Sequence, residues 1–256
     1  YIDAKKNIFK YQSENDLLVL NYDNEVTNKC GEEAIGKVVY FTSKNKIEDG
    51  WMIDDGIIKE CADKLRKHIA NTKDFKLRGM HNYENICAAL AATKQFVDTK
   101  QAVKTIMTFN GVEHRLELIR EIDGVKWYND SVSSSPTRTI AGLNSYDEEI
   151  ILIAGGYDKN LDYTPIAKPI VEKVKGLILL GDTSTKIFNA VKAELEKQNK
   201  NIPIYMCEDL KQTVTIAKKI AKPGQVVLFS PASASFDLFK NFADRGEKFK
   251  KLVNEL

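Results

Sequence analysis

The apolar positions of the second half of this chain form short unbroken runs, each separated from the next by a helix-like pattern. The runs predict buried strands over residues 125–128, 150–154, 177–180, 204–206 and 226–229. The segments between them have helical spacing and predict helices over residues 136–143, 166–174, 185–197 and 210–220. Because strands that alternate with helices pair in parallel through crossover connections, this half is predicted to be an α/β domain with a mostly parallel sheet.

The first half has a different pattern. It predicts strands over 17–22 and 38–42, edge hairpins over 51–58 around an Asp-Gly turn, and helices over 1–12, 82–96 and 98–109. The change falls near Gly111. We therefore expect two domains, residues 1–111 and residues 112–256.

The last apolar run leads into small residues and then a phenylalanine-rich stripe. The stripe predicts a helix with Asp237 in its first turn; its apolar members are Phe236, Phe239, Phe242, Phe249 and Val253. The hydroxyl and backbone N–H groups of residues 230–235 lie where open α/β sheets bind small anions. The alternative is that these residues are small only to allow close packing of strand and helix, and that Ser235 caps the helix.

Composition excludes several classes of protein. The 256 residues include 38 basic and 36 acidic ones, intermixed, so no strong field favours nucleic acid or an anionic membrane. Neither a signal peptide nor an apolar run of membrane-spanning length is present. The four cysteines are far apart in the sequence, which is typical of reduced thiols. The three histidines are also dispersed, so the sequence has no zinc-binding motif. We expect a cytoplasmic monomer.

One segment has the spacing of a phosphate-binding loop but not its chemistry. Gly31, Gly36 and Lys37 fit that spacing, yet Val38 stands where a magnesium-binding hydroxyl is needed, and two glutamates would repel phosphate. The segment also leads into a strand-like run rather than a helix. We predict that it binds no phosphate.

Polar groups after two predicted strands are candidate ligand-binding residues. Asp130 and the serines of WYNDSVSSSPTRT follow one strand, and the two glycines and Lys159 of ILIAGGYDK follow another. Lys159 suits a carboxylate or phosphate, and Asp130 suits a ribose hydroxyl or a lysine. Plain turns with a serine cap explain the same residues equally well.

Three further sites are less distinctive. Arg115 near the junction could clamp phosphates, although a surface arginine is the simpler interpretation. Asn82 and Asn85 could contact an adenine, but capping of a helix by Asn82 explains that residue too. Lys5 by itself indicates only a solvated lysine.

Together, these stretches resemble the Mur ligases of peptidoglycan synthesis. The resemblance is carried, in the family's order and over nearly the whole chain, by HNYENICAALAA, FNGVEHRLE, WYNDSVSSSPTRT, LIAGGYDK and LFSPASASFDLFKNFADRGEKF. It implies an incomplete central ATP-binding domain over 1–111, followed by a Rossmann-like, mostly parallel domain over 112–256. The chain would then begin partway through the ATP-binding domain, after the true phosphate loop, and we expect it to have no ligase activity alone and residues 1–111 to be the less stable part.

The resemblance is greatest to the members that add D-glutamate, and it implies their chemistry. ATP phosphorylates the alanyl carboxylate of UDP-N-acetylmuramoyl-L-alanine, and the amine of D-glutamate attacks the acyl phosphate to form an amide, with Mg²⁺ as a further cofactor. By match to the motifs, Lys5 falls at the carbamylated lysine that holds Mg²⁺. The resemblance also assigns ATP contacts and D-glutamate contacts: Asn82, Asn85, Arg115 and Asp130 for ATP, and Ser134, Lys159, Ser235 and Phe242 for D-glutamate.

Some positions depart from the family pattern. Val132 stands where the loop usually has a lysine, Tyr157 where some relatives have an acidic residue, and Ser134 where a threonine is usual. Two alternatives therefore stay open. One is another ligase of the same superfamily, such as a folylpolyglutamate or cyanophycin synthetase, and the other is a noncatalytic Rossmann-like binding module.

Overall fold

The computed structural model describes residues 1–256, and its chain divides into two units, Tyr1–Asn110 and Gly111–Leu256. The division lies next to Gly111, where the sequence pattern changes.

The first unit has one five-stranded sheet in the order β1-β2-β3-β4-β5. Strands β1 to β3 are parallel, and β3, β4 and β5 are antiparallel, so the predicted hairpin is confirmed. The elements of this unit are α1 (Ile2–Lys6), β1 (Leu17–Asn21), α2 (Glu25–Cys30), β2 (Lys37–Thr42), β3 (Gly50–Asp54), β4 (Ile57–Ala62), β5 (Leu65–Asn71), α3 (Met80–Thr93) and α4 (Thr99–Thr108). Helix α3 packs its buried face, including Ile86 and Leu90, onto Trp51 and Ile58 of the sheet.

The second unit has a six-stranded sheet in the order β10-β9-β8-β11-β7-β6. Its elements are β6 (Glu117–Ile122), β7 (Val125–Asn129), α5 (Pro136–Leu143), β8 (Ile150–Ala154), α6 (Thr164–Lys173), β9 (Val174–Leu180), α7 (Ser184–Gln198), β10 (Ile204–Cys207), α8 (Leu210–Ile220), β11 (Val226–Phe229) and α9 (Phe242–Asn254). The five predicted strands are all parallel, as expected, and β6 adds an antiparallel edge that the sequence did not predict.

Apolar side chains cover both faces of this second sheet. One cluster includes Leu152 and Leu228 with residues of α6 and α7, and the other includes Ile153 and Val227 with residues of α8 and α9. The central strands are therefore buried on both sides, which explains why their sequences are unbroken apolar runs rather than alternating ones.

Two predicted helix boundaries are wrong. The helix predicted over 1–12 is only α1, because the chain then turns and buries Phe9 against Leu18 and Leu20. The helix predicted from Ser235 begins instead at Phe242, where the Asn241 side chain caps it. Asp237 therefore lies in a loop and not in a first helical turn.

The structure contains no helix whose length and apolar character would let it cross a lipid bilayer.

Candidate functional site

The candidate site lies at one edge of the second sheet, where three neighbouring parallel strands end. Strands β8, β11 and β7 are adjacent, and each is followed at its carboxyl end by a loop of small and polar residues. We call these loops the β7 loop (residues 130–135), the β8 loop (155–160) and the β11 loop (230–241). In open α/β sheets this edge is where ligands bind.

Backbone hydrogen bonds join the β8 loop to the β11 loop. The N–H of Gly155 donates to the Pro231 carbonyl oxygen at 2.8 Å, and the N–H of Tyr157 donates to the Ala234 carbonyl oxygen at 3.0 Å. Both glycines of the β8 loop have positive φ, and a Cβ on Gly156 would lie 2.3 Å from the Ala234 oxygen. Gly156 is therefore needed for the close approach of the two loops, whereas a Cβ on Gly155 would lie 2.0 Å from the Leu180 carbonyl oxygen of β9.

Most hydroxyl groups at this edge are used within the protein. The Ser233 hydroxyl lies 2.7 Å from the Tyr163 hydroxyl and 2.8 Å from that of Thr183. The Ser131 hydroxyl donates to the Phe242 carbonyl oxygen at 2.7 Å, and that of Ser230 donates to Asp130 at 2.7 Å. These side chains shape the loops and leave no donor for a ligand.

Three predicted D-glutamate contacts behave differently. Ser235 is only 2% exposed, yet neither its hydroxyl nor its N–H makes a hydrogen bond within the protein. The hydroxyl of Ser134 is also unused, and the Lys159 ammonium group has no ion pair. The three lie in the β7, β8 and β11 loops, so three neighbouring strands each contribute an unpaired donor or cation to one edge of the sheet.

The capping explanations for these serines are not supported by the structure. Ser235 lies seven residues before Phe242, where α9 begins, so it caps no helix there. Ser135 occupies the N-cap position of α5, but its side chain makes no capping hydrogen bond. Neither serine side chain therefore caps a helix.

Lys159 has an aromatic neighbour. Its Nζ atom lies 6.0 Å from the ring centroid of Phe236, which in turn makes an edge contact with Tyr157. The nearby Lys186 is engaged by Asp158 at 2.5 Å, and this ion pair holds the pKa of the Asp158 carboxyl below its usual value. The neighbouring carboxylate is thus neutralised by a different lysine, which leaves the charge of Lys159 available.

Asp130 and Arg115 are brought together at the end of β7. Asp130 is 2% exposed, and burial raises the pKa of its carboxyl to about 6. Hydrogen bonds from Ser133, Ser230 and the Leu116 N–H, together with the charge of Arg115, act in the opposite direction and favour the carboxylate. The Asp130 carboxyl therefore gains or loses its proton near pH 6.

Phe242 is the first residue of α9, and its carbonyl oxygen is bound to the β7 loop through Ser131. Phe242 as a residue is 44% exposed, and its ring makes an edge contact with the buried His114. Val132 stands where the family usually has a lysine. A cation from another element lies beside it, because Arg138 on α5 donates to the Val132 carbonyl oxygen at 3.2 Å.

The remaining predicted residues belong to the first unit. Asn82 and Asn85 are three residues apart on α3, so they share one face of that helix. Asn82 is buried and donates from its side chain to the Arg78 carbonyl oxygen at 2.6 Å, and it is not the cap, because α3 begins at Met80 after Gly79. Lys5 is exposed on α1, with its Nζ atom 5.4 Å from the Tyr1 ring centroid.

The segment with phosphate-loop spacing does enter a strand, as predicted. Residue Lys37 begins β2, and Gly31 ends α2. A phosphate loop opens a helix with free N–H groups, so this geometry is unsuitable for phosphate.

Arg245 is the principal residue at this edge that sequence reasoning missed. It lies in the first turn of α9 and is 1% exposed. The residues around it include Asp244, Glu247 and Lys248, a charged pattern that is typical of a solvated helix face. Only the position of Arg245 after the SPASAS segment and next to Gly246 pointed to a buried side chain.

Two family models match most of this chain. The family model described as Mur ligase middle domain matches residues 1–93, and that described as Mur ligase, glutamate ligase domain, matches residues 114–233. The chain is 50% identical over its whole length to UDP-N-acetylmuramoylalanine--D-glutamate ligase of Acetivibrio thermocellus and 48% identical to that of Clostridium novyi. It spans 55% of the length of each of these relatives.

Among solved structures, UDP-N-acetylmuramate-alanine ligase MurC from Thermotoga maritima aligns with all of this chain and with 56% of its own. The TM-score is 0.68 at 17% sequence identity, which supports the fold. The family signatures therefore cover both units, and the chain belongs to the Mur ligase family, with the middle domain followed by the glutamate ligase domain.

Proposed function

We propose that this chain contributes to an ATP-dependent ligase that adds D-glutamate to UDP-N-acetylmuramoyl-L-alanine in peptidoglycan synthesis. ATP would phosphorylate the alanyl carboxylate, releasing ADP. The amine of D-glutamate would then attack the acyl phosphate, forming the amide and releasing phosphate. The names of the relatives that match the whole chain support this substrate pair.

One observation carries the assignment of D-glutamate. Ser134, Lys159 and Ser235 follow three adjacent strands, and none of their polar side-chain groups is hydrogen-bonded or ion-paired within the protein. Hydroxyl and N–H donors together with an ammonium group suit a doubly negative amino acid, because hydrogen bonds to charged groups are stronger than neutral ones. Phe242, with its exposed ring at the start of α9, is proposed as the fourth contact.

The ATP contacts are proposed for residues of each unit separately. In the first unit, Asn82 and Asn85 present amide groups on one face of α3, which suits an adenine edge. In the second unit, Arg115 suits phosphate oxygens, and Asp130 lies beside it.

Lys5 is proposed as the residue that holds Mg²⁺ after carbamylation. Its amine is exposed and has no ion pair, so it is open to carbon dioxide, and a carbamate would give it carboxylate-like oxygens. The chemistry that Mg²⁺ supplies when bound is screening of the charge on the transferred phosphoryl group.

Isothermal titration calorimetry of the chain with D-glutamate, L-glutamate and ATP tests the proposal. We expect D-glutamate to bind more tightly than L-glutamate. Ser235→Ala and Lys159→Met should each weaken D-glutamate binding by about tenfold to a hundredfold, since a hydrogen bond to a charged group contributes roughly 1.5–3 kcal/mol.

Lys168→Met on α6 is the matched control, because Lys168 is an exposed lysine of the same unit that lies away from the three loops. It should leave the D-glutamate affinity unchanged. Absence of D-glutamate binding by the unmodified chain, or an equal loss in the control, would contradict the site, and absence of binding to any of the three ligands would favour a noncatalytic scaffold.

A further inference from the structure

Arg245 is a buried cation whose hydrogen bonds all go to uncharged oxygens. Its Nε atom donates to the Ser131 hydroxyl at 3.1 Å, and one terminal nitrogen donates to the Ala234 carbonyl oxygen at 2.8 Å. The other terminal nitrogen donates to the carbonyl oxygens of Ser131 at 2.8 Å and Ser233 at 3.0 Å. This guanidinium group is 1% exposed, and the Asp237 carboxylate acts on it through its charge without a hydrogen bond. Burial of the group remains costly, because all of its hydrogen-bond acceptors are uncharged.

These bonds join loops that carry the proposed ligand contacts. Ser131 is in the β7 loop with Ser134, and Ala234 directly precedes Ser235 in the β11 loop. The Ala234 oxygen also accepts the N–H of Tyr157, two residues before Lys159 in the β8 loop. One side chain on α9 thus connects, directly or through a shared acceptor, the three loops of the site.

The direction of one peptide unit follows from the same contacts. In a planar trans peptide the C=O and N–H groups point in opposite directions. The carbonyl of Ala234 points to Arg245, so the N–H of Ser235, which belongs to the same peptide unit, points away from Arg245. That N–H has no acceptor in the protein, although Ser235 is buried, and buried N–H groups are rarely left without an acceptor.

We propose that Arg245 is a positioning residue that orients the Ala234–Ser235 peptide unit so that the Ser235 N–H and hydroxyl both bind a carboxylate of D-glutamate. The inference rests on the proposed function for the identity of the ligand. Lysine cannot replace arginine here, because one ammonium group cannot reach the oxygens of two loops with the geometry of a planar fork.

The test compares the unmodified chain with Arg245→Lys, which keeps the charge, and with Arg120→Lys as the matched control. Arg120 is an exposed arginine of β6 that donates to the Asn254 carbonyl oxygen, away from the three loops. We expect Arg245→Lys to weaken D-glutamate binding by about tenfold or more, which corresponds to the loss of one or two hydrogen bonds, while Arg120→Lys binds normally. Full affinity in Arg245→Lys would overturn the proposal.

Amide hydrogen exchange measured by NMR without ligand separates the failure of this inference from the failure of the proposed function. In Arg245→Lys the Tyr157 amide should exchange at least about tenfold faster than in the unmodified chain, while the amides of β8 keep their rates. Unchanged exchange at Tyr157 would overturn the inference even if the unmodified chain binds no D-glutamate.

A measurement on the unmodified chain covers the case in which Arg245→Lys does not fold. The Nε–H resonance of Arg245 should be protected from solvent exchange and should shift when D-glutamate is added. A resonance that stays fixed while the Ser235 amide shifts would show that Arg245 does not position the ligand contacts.

Discussion

At the scale of single residues, Asp130 has the most unusual environment of the proposed site. Its carboxyl is buried at the end of β7, and burial raises its pKa from 3.8 to about 6 despite several hydrogen bonds that favour the charged form. Between these two pH values the folded chain binds more protons at this group than the unfolded chain does. The free energy of unfolding that Asp130 contributes must therefore fall as the pH rises through this interval.

We predict that Asp130→Asn removes this pH dependence. The free energy of unfolding of the unmodified chain minus that of Asp130→Asn should decrease by about 2.4 kcal/mol between pH 4 and pH 7, since one pKa unit corresponds to about 1.4 kcal/mol and the unfolded carboxyl is already partly ionised at pH 4. Urea unfolding followed by Trp127 fluorescence in a Trp51→Phe background measures it in the second unit, because each unit has one tryptophan.

Asp147→Asn is the control for this experiment, since Asp147 is an exposed carboxylate of the same unit. Its difference from the unmodified chain should be constant across the same pH range. A difference for Asp130→Asn that stays constant, or that increases with pH, would contradict the assigned environment of Asp130.

At the scale of secondary-structure elements, the start of α9 sets the geometry of the β11 loop. The phenylalanine spacing predicts one continuous helix from Ser235, but only Phe249 and Val253 of that stripe are buried, whereas Phe236 and Phe242 are exposed. Residues 235–240 form turns instead, and Asn241 accepts the Asp244 N–H at 2.9 Å as the cap. This late start leaves the Ser235 hydroxyl free for a ligand.

We predict that the stabilities of two alanine variants distinguish the two helix boundaries. Asn241→Ala should lower the free energy of unfolding by about 1 kcal/mol, the usual contribution of an N-cap side chain, while Ser235→Ala should cost much less. Urea unfolding followed by Trp127 fluorescence measures both, and Asn241→Asp, which keeps the capping oxygen, should retain nearly full stability. The reverse order of the two alanine variants would place the cap at Ser235.

The buried elements of the second unit were predictable because their local signal and their tertiary environment agree. Strand β8 is apolar at every position and buried on both faces, so its sequence indicates a central parallel strand. The edge strand β6 was missed because ELIREI has charged residues on a partly exposed edge and no strict alternation. The hydrophobic pattern of a segment therefore predicts its secondary structure least well where its side chains are only partly buried.

The loops of the candidate site could be predicted from the sequence, but the hydrogen bonds that join these loops could not. Glycines after a strand, and serines before a helix, indicated that the loops of Lys159 and Ser134 could bind a ligand. The inward direction of Arg245 could not be predicted, because the surrounding DRGEKFKK sequence is typical of a solvated helix face. Which hydroxyls are already bound within the protein also depends on pairs of residues far apart in the sequence, such as Tyr163 and Ser233.

At the scale of the whole molecule, the two units differ in how they bury apolar surface. The second unit has two large clusters, one on each face of its sheet. The first unit divides its apolar residues among three smaller clusters. Its strand β5 also has four exposed residues at its start. Because hydrophobic burial is the main favourable contribution to folding, the second unit should be the more stable.

We therefore predict that the units lose structure at different urea concentrations. Hydrogen exchange with mass spectrometry at increasing urea should show peptides of Tyr1–Asn110 losing protection first, and peptides of β8, β9 and β11 retaining it longest. Limited proteolysis provides an independent measurement, since cleavage requires local unfolding, and its first cuts should lie within residues 1–110. Simultaneous loss of protection in all peptides would mean that the chain unfolds as one cooperative body, and earlier loss in Gly111–Leu256 would mean that burial on both faces of its sheet does not determine the order.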